Sequence, residues 1–527
     1  MNAAMARRSF IKVAGTTAAG ALAVGAASTA LADEAQSWMP QSWDCEADAV
    51  VLGLGAAGAT TAVDMADKGL SVIVLEKTNY ELAGGDCAVC GGYVIPVTDP
   101  VEVLCSSLND IDADYAAVYA EYNAQIPEYL ESIGVELDTE SFPGMAISVR
   151  QDGETYGGAL FRAFRTAVEN RSDLIEVKYE TPAIGLVQDP VSGEALGVKA
   201  GSADSPIYVR AKRGVVVATG SYEGDQVMMN ALHMPGVIFP TIGSPYNTGD
   251  GLKMLMKAGC KVQNIAKSLE YAAFAVKPAS EEVGTGLVIP TSFDTDGYIF
   301  VNVEGRRFMN ETANIQHSKE DSIFQINTFS GGLHSTSADT RYVNMPAFMV
   351  FDEATKNSRA IAGTNGNGNG WNTHIGYEWS ADNSAEVEKG WIVVADTLEE
   401  LAEKVSACDL MGNEVHIDGA ALVEQVKQYN DMVDAGETDE FGREPVGKIG
   451  DGPYYATEII PATLYAGGGA SHDVNAQAID WADQPIPRLY MAGLVGDPFT
   501  LHSPALQAAV TWGRIASENI AALEPRA

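Results

Sequence analysis

The sequence predicts an α/β fold, and three observations point to it. A strand, a glycine turn, a helix and a second strand follow one another between Asp48 and Lys77. Further apolar strands recur downstream, at Val215–Val217 and in the run ending at Ala492-Gly493, each closing on a glycine turn. At 527 residues and 46% hydrophobic content, the chain is globular and longer than one core usually serves, so two or three domains are expected.

The Asp48–Lys77 stretch carries the most information. Ala49–Leu52 reads as a short buried strand and is followed at once by Gly53-x-Gly55-x-x-Gly58. Residues 56–68 form an Ala-rich helix, and 71–75 a second apolar strand that ends in Glu76. Gly53 allows a tight turn, Gly55 lets the backbone approach a pyrophosphate, and Gly58 lets the helix pack close to the strand. The helix N-terminus faces the phosphates, while Glu76 accepts hydrogen bonds from a ribose. An unphosphorylated ribose fits FAD or NAD, and this stretch alone does not choose between them.

The N-terminus reads as an address. Arg7-Arg8-Ser9-Phe10 precedes a mild Ala/Gly/Thr/Val run that ends in Ala30-Leu31-Ala32. A basic start, a weakly apolar run and a small-residue cleavage site make a signal peptide, and the paired arginines point to the twin-arginine route for folded proteins. The run is too poor in strongly apolar residues for a membrane span. The expectation is therefore an exported protein, periplasmic or extracytoplasmic, that is not integral to the membrane.

A formal net charge of −38 argues against nucleic-acid binding, which needs Lys and Arg against phosphate. The six cysteines do not form a disulfide framework, and the absence of Cys-x-x-Cys-His predicts no c-type haem on this chain.

Several further motifs occur in order: Gly84-Gly85-Asp86 and Cys90-Gly91-Gly92-Tyr93, then Ala218-Thr219-Gly220, Asn247-Thr248-Gly249-Asp250-Gly251, Arg307-Phe308-x-Asn310-Glu311, and Ala492-Gly493. Together they resemble the fumarate reductase/succinate dehydrogenase flavoprotein superfamily, which includes 3-oxosteroid dehydrogenases, urocanate reductases and exported cardiac glycoside reductase-like enzymes. The resemblance implies a Rossmann-like FAD-binding domain with an inserted α+β capping domain and non-covalent FAD. It implies domains at residues 33–280 and 448–527 (FAD) and 281–447 (cap), after a signal at 1–32. FAD is made in the cytoplasm, which fits export of a folded protein.

Besides the residues already named, the resemblance places Ala57, Lys77, Ala183, Ser503, Ala505 and Leu506 at the cofactor. The helix beginning near Ser503–Leu506 aims its N–H groups at the pyrimidine end of the flavin. Asn247–Gly251 looks like a helix cap. Residues 363–376 read as a Gly/Asn-rich loop, and 395–405 and 419–436 as amphipathic helices of the cap.

The superfamily's dicarboxylate-binding residues do not match. Ile315 stands where the resemblance expects an arginine acid, residues 291–294 lack the proton-relay pair, and Thr500 replaces the arginine that grips a carboxylate. A dicarboxylate needs charge-assisted donors, so fumarate is not the expected substrate. The steroid dehydrogenases' C-terminal tyrosine falls at Phe499.

The expected function is hydride transfer from flavin N5 to an activated C=C bond of a small organic acceptor. The alternatives are a dehydrogenase that introduces a double bond beside a ketone, and a flavin electron-transfer protein. Electrons would come from an external donor such as a membrane-linked cytochrome. The candidate acids are His502, which abuts the flavin-facing turn, His317, Tyr93 and His472. Glu311 reads equally as catalytic or as a structural carboxylate of the cap. Cys87-x-x-Cys90 reads as a redox pair or as two small buried residues lining the flavin loop.

Overall fold

The computed structural model describes residues 39–94, 113–141, 146–233, 237, 240–265, 269–284, 286–289, 297–312, 331–363, 377–496 and 505–526. Five parallel strands form the centre of an eight-stranded sheet, in the order Pro485–Met491, Pro206–Val217, Cys45–Leu52, Val72–Leu75 and Ile175–Lys178. Gln477–Ile479 joins one edge antiparallel. Ala195–Gly201 and Ala183–Gln188 add an antiparallel ribbon to the lower part of Pro206–Val217.

The alternation of side chains builds the two faces. Along Cys45–Leu52, Val50 and Leu52 enter one core and Ala49 and Val51 the other, and all four are fully buried. Helices Ala56–Asp67, Tyr156–Glu169 and Ala505–Ala521 cover the second face. The approach of the first helix depends on its small residues: a Cβ on Gly58 would lie 2.0 Å from the carbonyl oxygen of Gly53. The opposite face packs against a second sheet, so one continuous core runs from Val50 and Val215 to Phe274 and Phe300.

That second sheet is antiparallel. Val288–Ile289, Leu269–Val276, Tyr454–Ala466, Ala347–Asp352 and Tyr298–Asn302 follow in order, and Val393–Ala395 also pairs with Tyr454–Ala466. Leu269–Val276 and Tyr454–Ala466 lie outside the 281–447 insert expected from the sequence. They are short apolar runs, and only long-range pairing decides which sheet such a run joins. Helices Leu398–Lys404 and Gly419–Ala435 pack on the sheet through Leu401, Leu422, Val426 and Tyr429 against Ile299, Val301, Phe348 and Val350. Most of the expected 363–376 loop lies outside the described residues.

A buried ion network ties the cap together. Glu311 Oε1 accepts from Arg307 Nε at 2.7 Å and from the backbone N–H of Phe300 at 3.0 Å. Its Oε2 accepts from Arg307 Nη2 at 2.7 Å and Arg443 Nη1 at 2.8 Å. Arg307 also pairs with Asp439 at 2.7 Å, so two carboxylates balance two guanidiniums. Both oxygens of Glu311 are saturated and its side chain is fully buried. Of the two readings open for Glu311, this geometry carries the structural one and displaces it as a catalytic candidate. Removing one partner of a buried pair strands the other charge and costs about 3–5 kcal/mol. Glu311→Ala should therefore lower the thermal unfolding midpoint of the protein markedly, as read by circular dichroism. A midpoint unchanged from the native protein would show that the network contributes nothing.

Candidate active site: a dinucleotide cavity

Parallel pairing brings the carboxyl ends of four strands to one level. Leu52 lies opposite both Leu75 and Val217, and Val217 lies opposite Met491. The chain leaves each strand through a turn, and these turns form the mouth of a cavity that takes in about 1060 Å³ of space, the solvent at its open mouth included. Ligands of open α/β sheets bind at this place.

One wall is the first glycine turn, from Gly53 to Ala57. Gly53 has φ +96°, and a Cβ there would sit 2.6 Å from the carbonyl oxygen of Ala218. Gly55 caps the following helix without a side-chain hydrogen bond, and no acidic residue stands in its first turn. Uncapped N–H groups and the positive helix end therefore face the cavity beside Ala56 and Ala57.

Glu76 closes the second strand. Its Oε2 accepts from the backbone N–H of Leu54 at 2.8 Å, and its Oε1 from Thr78 N at 2.8 Å and Thr78 Oγ1 at 2.7 Å. The carboxylate is thereby locked at the cavity rim. Lys77 also lines the cavity and spans to the next element, with Nζ 2.7 Å from Thr248 Oγ1 and 2.8 Å from Asp250 Oδ2. Among the described lining residues it is the only cation.

Gly84, Gly85, Asp86, Cys87 and Cys90 bring the short helix Gly85–Val89 to the wall. Ala183, Ala218, Thr219, Gly220, Asn247 and Asp250 add the middle. Ala492, Gly493, Ala505 and Leu506 add the far end, where helix Ala505–Ala521 begins.

The other cofactor candidates stand behind the wall. Gly58 supports the turn at Gly53. Thr248 holds Lys77. Gly92 runs beside Ser148, whose backbone N–H donates to its carbonyl at 3.1 Å, and Gly91 precedes it. Gly249, in the left-handed region at φ +70°, is the N-cap of helix Asp250–Lys257 and makes no side-chain capping bond. The cap expected from residues 247–251 falls on the backbone of Gly249, not on the side chain of Asn247. Its amide is turned instead to Asp86 and Glu223, 2.7 Å from each. Ser503 lies outside the described residues.

The histidine candidates separate. His317 and His502 lie outside the described residues. His472 is buried beside Trp512, ring centroids 4.5 Å apart, and is absent from the cavity wall. Its Nδ1 lies 2.8 Å from the carbonyl of Asp473 and its Nε2 3.0 Å from the hydroxyl of Tyr115. The neutral tautomer protonated on Nδ1 satisfies both contacts, and burial lowers the imidazole to about 4. Tyr93 is half-buried in strand Tyr93–Val94, paired with Ile147, and its hydroxyl is raised by burial.

Cys87 and Cys90 are free thiols at the wall. Burial raises both, Cys90 to about 11, so both stay protonated at neutral pH. A reactive thiol is the ionised one, and this pair matches small wall residues rather than an activated couple. Ser244, Tyr246 and Leu82 also line the cavity and were not recognised in the sequence. Each reaches it through a loop whose path depends on distant pairing.

An uncapped helix end, a locked acid at the second strand and a long apolar-walled cleft suit a flavin dinucleotide. The comparisons with known proteins agree. The family model described as "FAD binding domain" matches residues 48–497. The chain belongs to this family, within the fumarate reductase/succinate dehydrogenase flavoprotein superfamily, and is a FAD-dependent oxidoreductase.

It is similar to the fumarate reductase (cytochrome) of Shewanella frigidimarina, 25% identical over 500 residues, covering 90% of this chain and 77% of that one. It is also similar to the vinyl phenol reductase of Lactiplantibacillus plantarum, 24% identical over 487 residues, covering 87% and 92%. In fold it matches a 3-ketosteroid Δ1-dehydrogenase from Sterolibacterium denitrificans with a TM-score of 0.69 at 20% identity, covering 90% and 99%. No helix among the described residues is long and apolar enough to cross a membrane.

Gly58 gives a direct test of the cavity. Forcing a methyl group against a main-chain oxygen costs about 1–3 kcal/mol. In Gly58→Ala, FAD should bind on the order of ten- to a hundredfold more weakly, read from the flavin-to-protein absorbance ratio after dialysis. Full flavin retention would show that the helix does not need this approach.

Proposed function

We propose that this chain is an exported reductase that saturates an activated C=C bond of a small organic acceptor other than fumarate. The observation that carries the reading is the charge of the site. The described cavity wall offers a single cation, and Lys77 is already engaged by Asp250. Arg307 and Arg443 are occupied by Glu311 in the cap. Ile315 and Thr500 stand where the superfamily's substrate arginines are expected. A dianion would lack the paired donors it needs, whereas an enone, an unsaturated lactone or a vinyl arene would not.

Bound FAD supplies the hydride. The chain's part is to hold the acceptor under the cap, keep water out and deliver a proton to the second carbon. His502 is our choice of proton donor, because it stands three residues before helix Ala505–Ala521 in the sequence, and the first residues of that helix line the cavity. The cap supports an organic substrate, since pure electron transfer needs no lid. Arg7-Arg8 and the Ala30-Leu31-Ala32 site support folded export. The electrons would come from an external carrier, since only one dinucleotide fingerprint is evident in the sequence.

Anaerobically reduced protein mixed with enoates, enones, unsaturated lactones and vinyl phenols should be reoxidised rapidly by one of these classes. Bleaching of the oxidised flavin by saturated ketones, with no reoxidation by any alkene, would instead make it a dehydrogenase. In His502→Asn, reoxidation by the active class should slow by about 10²–10⁴-fold with flavin content unchanged. Unaltered reoxidation in that variant would remove His502 from the role.

A further inference from the structure

We propose that Asp86 and Glu223, bridged by Asn247, hold one proton between them beside the FAD cavity and take up a second when two electrons enter it. The geometry is specific. One amide nitrogen, Asn247 Nδ2, donates to Asp86 Oδ2 and to Glu223 Oε1, at 2.7 Å each. The two carboxyl groups therefore lie within twice that distance. Asp86 Oδ1 accepts from the backbone N–H of Ser244 at 2.8 Å, and Glu223 Oε2 from that of Ala466 at 3.2 Å. Glu223 is fully buried, and Asp86 forms part of the cavity wall.

Glycines hold the arrangement tight. A Cβ on Gly220 would come 2.8 Å from Asn247 Oδ1, and one on Gly243 2.6 Å from Asp86 Oδ1. Among the described residues, no Lys, Arg or His forms an ion pair with either carboxyl.

Two adjacent carboxyl groups, one fully buried and one in the cavity wall, cannot both stay ionised without a counter-cation. Burial, then the charge of Asp86, pushes Glu223 well above the usual carboxylate range. Burial raises Asp86 to about 6, and hydrogen bonds from Ser244, Asn247 and Glu223 hold it from rising further. Glu223 is the more strongly raised of the two and carries the shared proton, which leaves one negative charge on the pair. The other titratable groups packed around the pair are Cys87 and Cys90 on the helix of Asp86 and Tyr222 beside Glu223, each kept neutral by burial. His233, on the hydroxyl of Tyr222, is lowered by burial to about 4 and is neutral too.

Bound FAD displaces water from the cavity and brings negative charge when reduced. Both effects raise the proton affinity of Asp86. The donor supplies two electrons to the flavin, and solvent supplies one proton to the Asp86 carboxylate. No bond to carbon is made or broken at the pair.

Infrared spectroscopy of the holoenzyme tests both halves. At pH 7 the oxidised protein should show the C=O stretch of a buried carboxylic acid that moves on ¹³C-glutamate labelling. The band should persist in Glu458→Gln, which removes another buried glutamate raised by burial, and vanish in Glu223→Gln. On reduction a second acid band should grow, move on ¹³C-aspartate labelling and be missing in Asp86→Asn. Should Glu223→Gln not fold, Glu223→Asp is read instead: the acid band of the oxidised protein should then lose its ¹³C-glutamate shift and gain the ¹³C-aspartate one. An oxidised spectrum without a Glu223 acid band overturns the shared proton. A Glu223 band with no aspartic acid band on reduction overturns the uptake.

Discussion

The in-register pairing of Cys45–Leu52 with a strand on each side is the constraint on which the rest of the molecule depends. Because Leu52 lies level with Leu75 and Val217, and Val217 with Met491, four chain reversals occur at one height. A slip of one residue would turn every side chain to the other face and separate the turns. The uncapped helix end, Glu76, Ala218 and Gly493 reach one cavity only because their strands stop together. The close helix packing permitted by Gly58 then seals one side.

Charge is distributed unevenly around that cavity. Arginines are spent inside the cap, where Arg307 and Arg443 neutralise Glu311 and Asp439. The cofactor side keeps Lys77 tied to Asp250 and holds an acid pair, Asp86 in the wall and Glu223 behind it, with no cation paired to either among the described residues. Fixed positive charge is thus concentrated in the cap, while the described cofactor wall carries one cation and that cation is paired.

Much of the cofactor half was legible in the sequence because its signals are local. The strand, Gly53-x-Gly55-x-x-Gly58 and Glu76 specify a turn, a helix end and an acid within thirty residues. Ala218-Thr219-Gly220 and Ala492-Gly493 were legible as glycine turns after apolar strands. What depends on distant pairing was not. Residues 247–251 read as a cap because they precede a helix, and Gly249 is that cap, yet nothing local shows that the Asn247 amide is claimed by carboxylates 24 and 161 residues away. Glu311 reads equally as catalytic or structural, since Arg443 lies beyond the reach of any local pattern. His472 sits in a suggestive glycine-rich stretch, but the fold buries it against Trp512.

The cap's two connections to the cofactor domain carry one more implication. Leu269–Val276 and Tyr454–Ala466 are the strands by which the chain enters and leaves the second sheet, and they pair with each other from Leu269–Ala466 to Val276–Ile459. The crossing is a hydrogen-bonded ribbon, not a pair of independent tethers. A ribbon bends readily across its face and resists shear along its length. The two sheets are therefore tied along a whole paired length rather than at two points, and Ala466, whose backbone N–H donates to Glu223, stands at one end of that pairing.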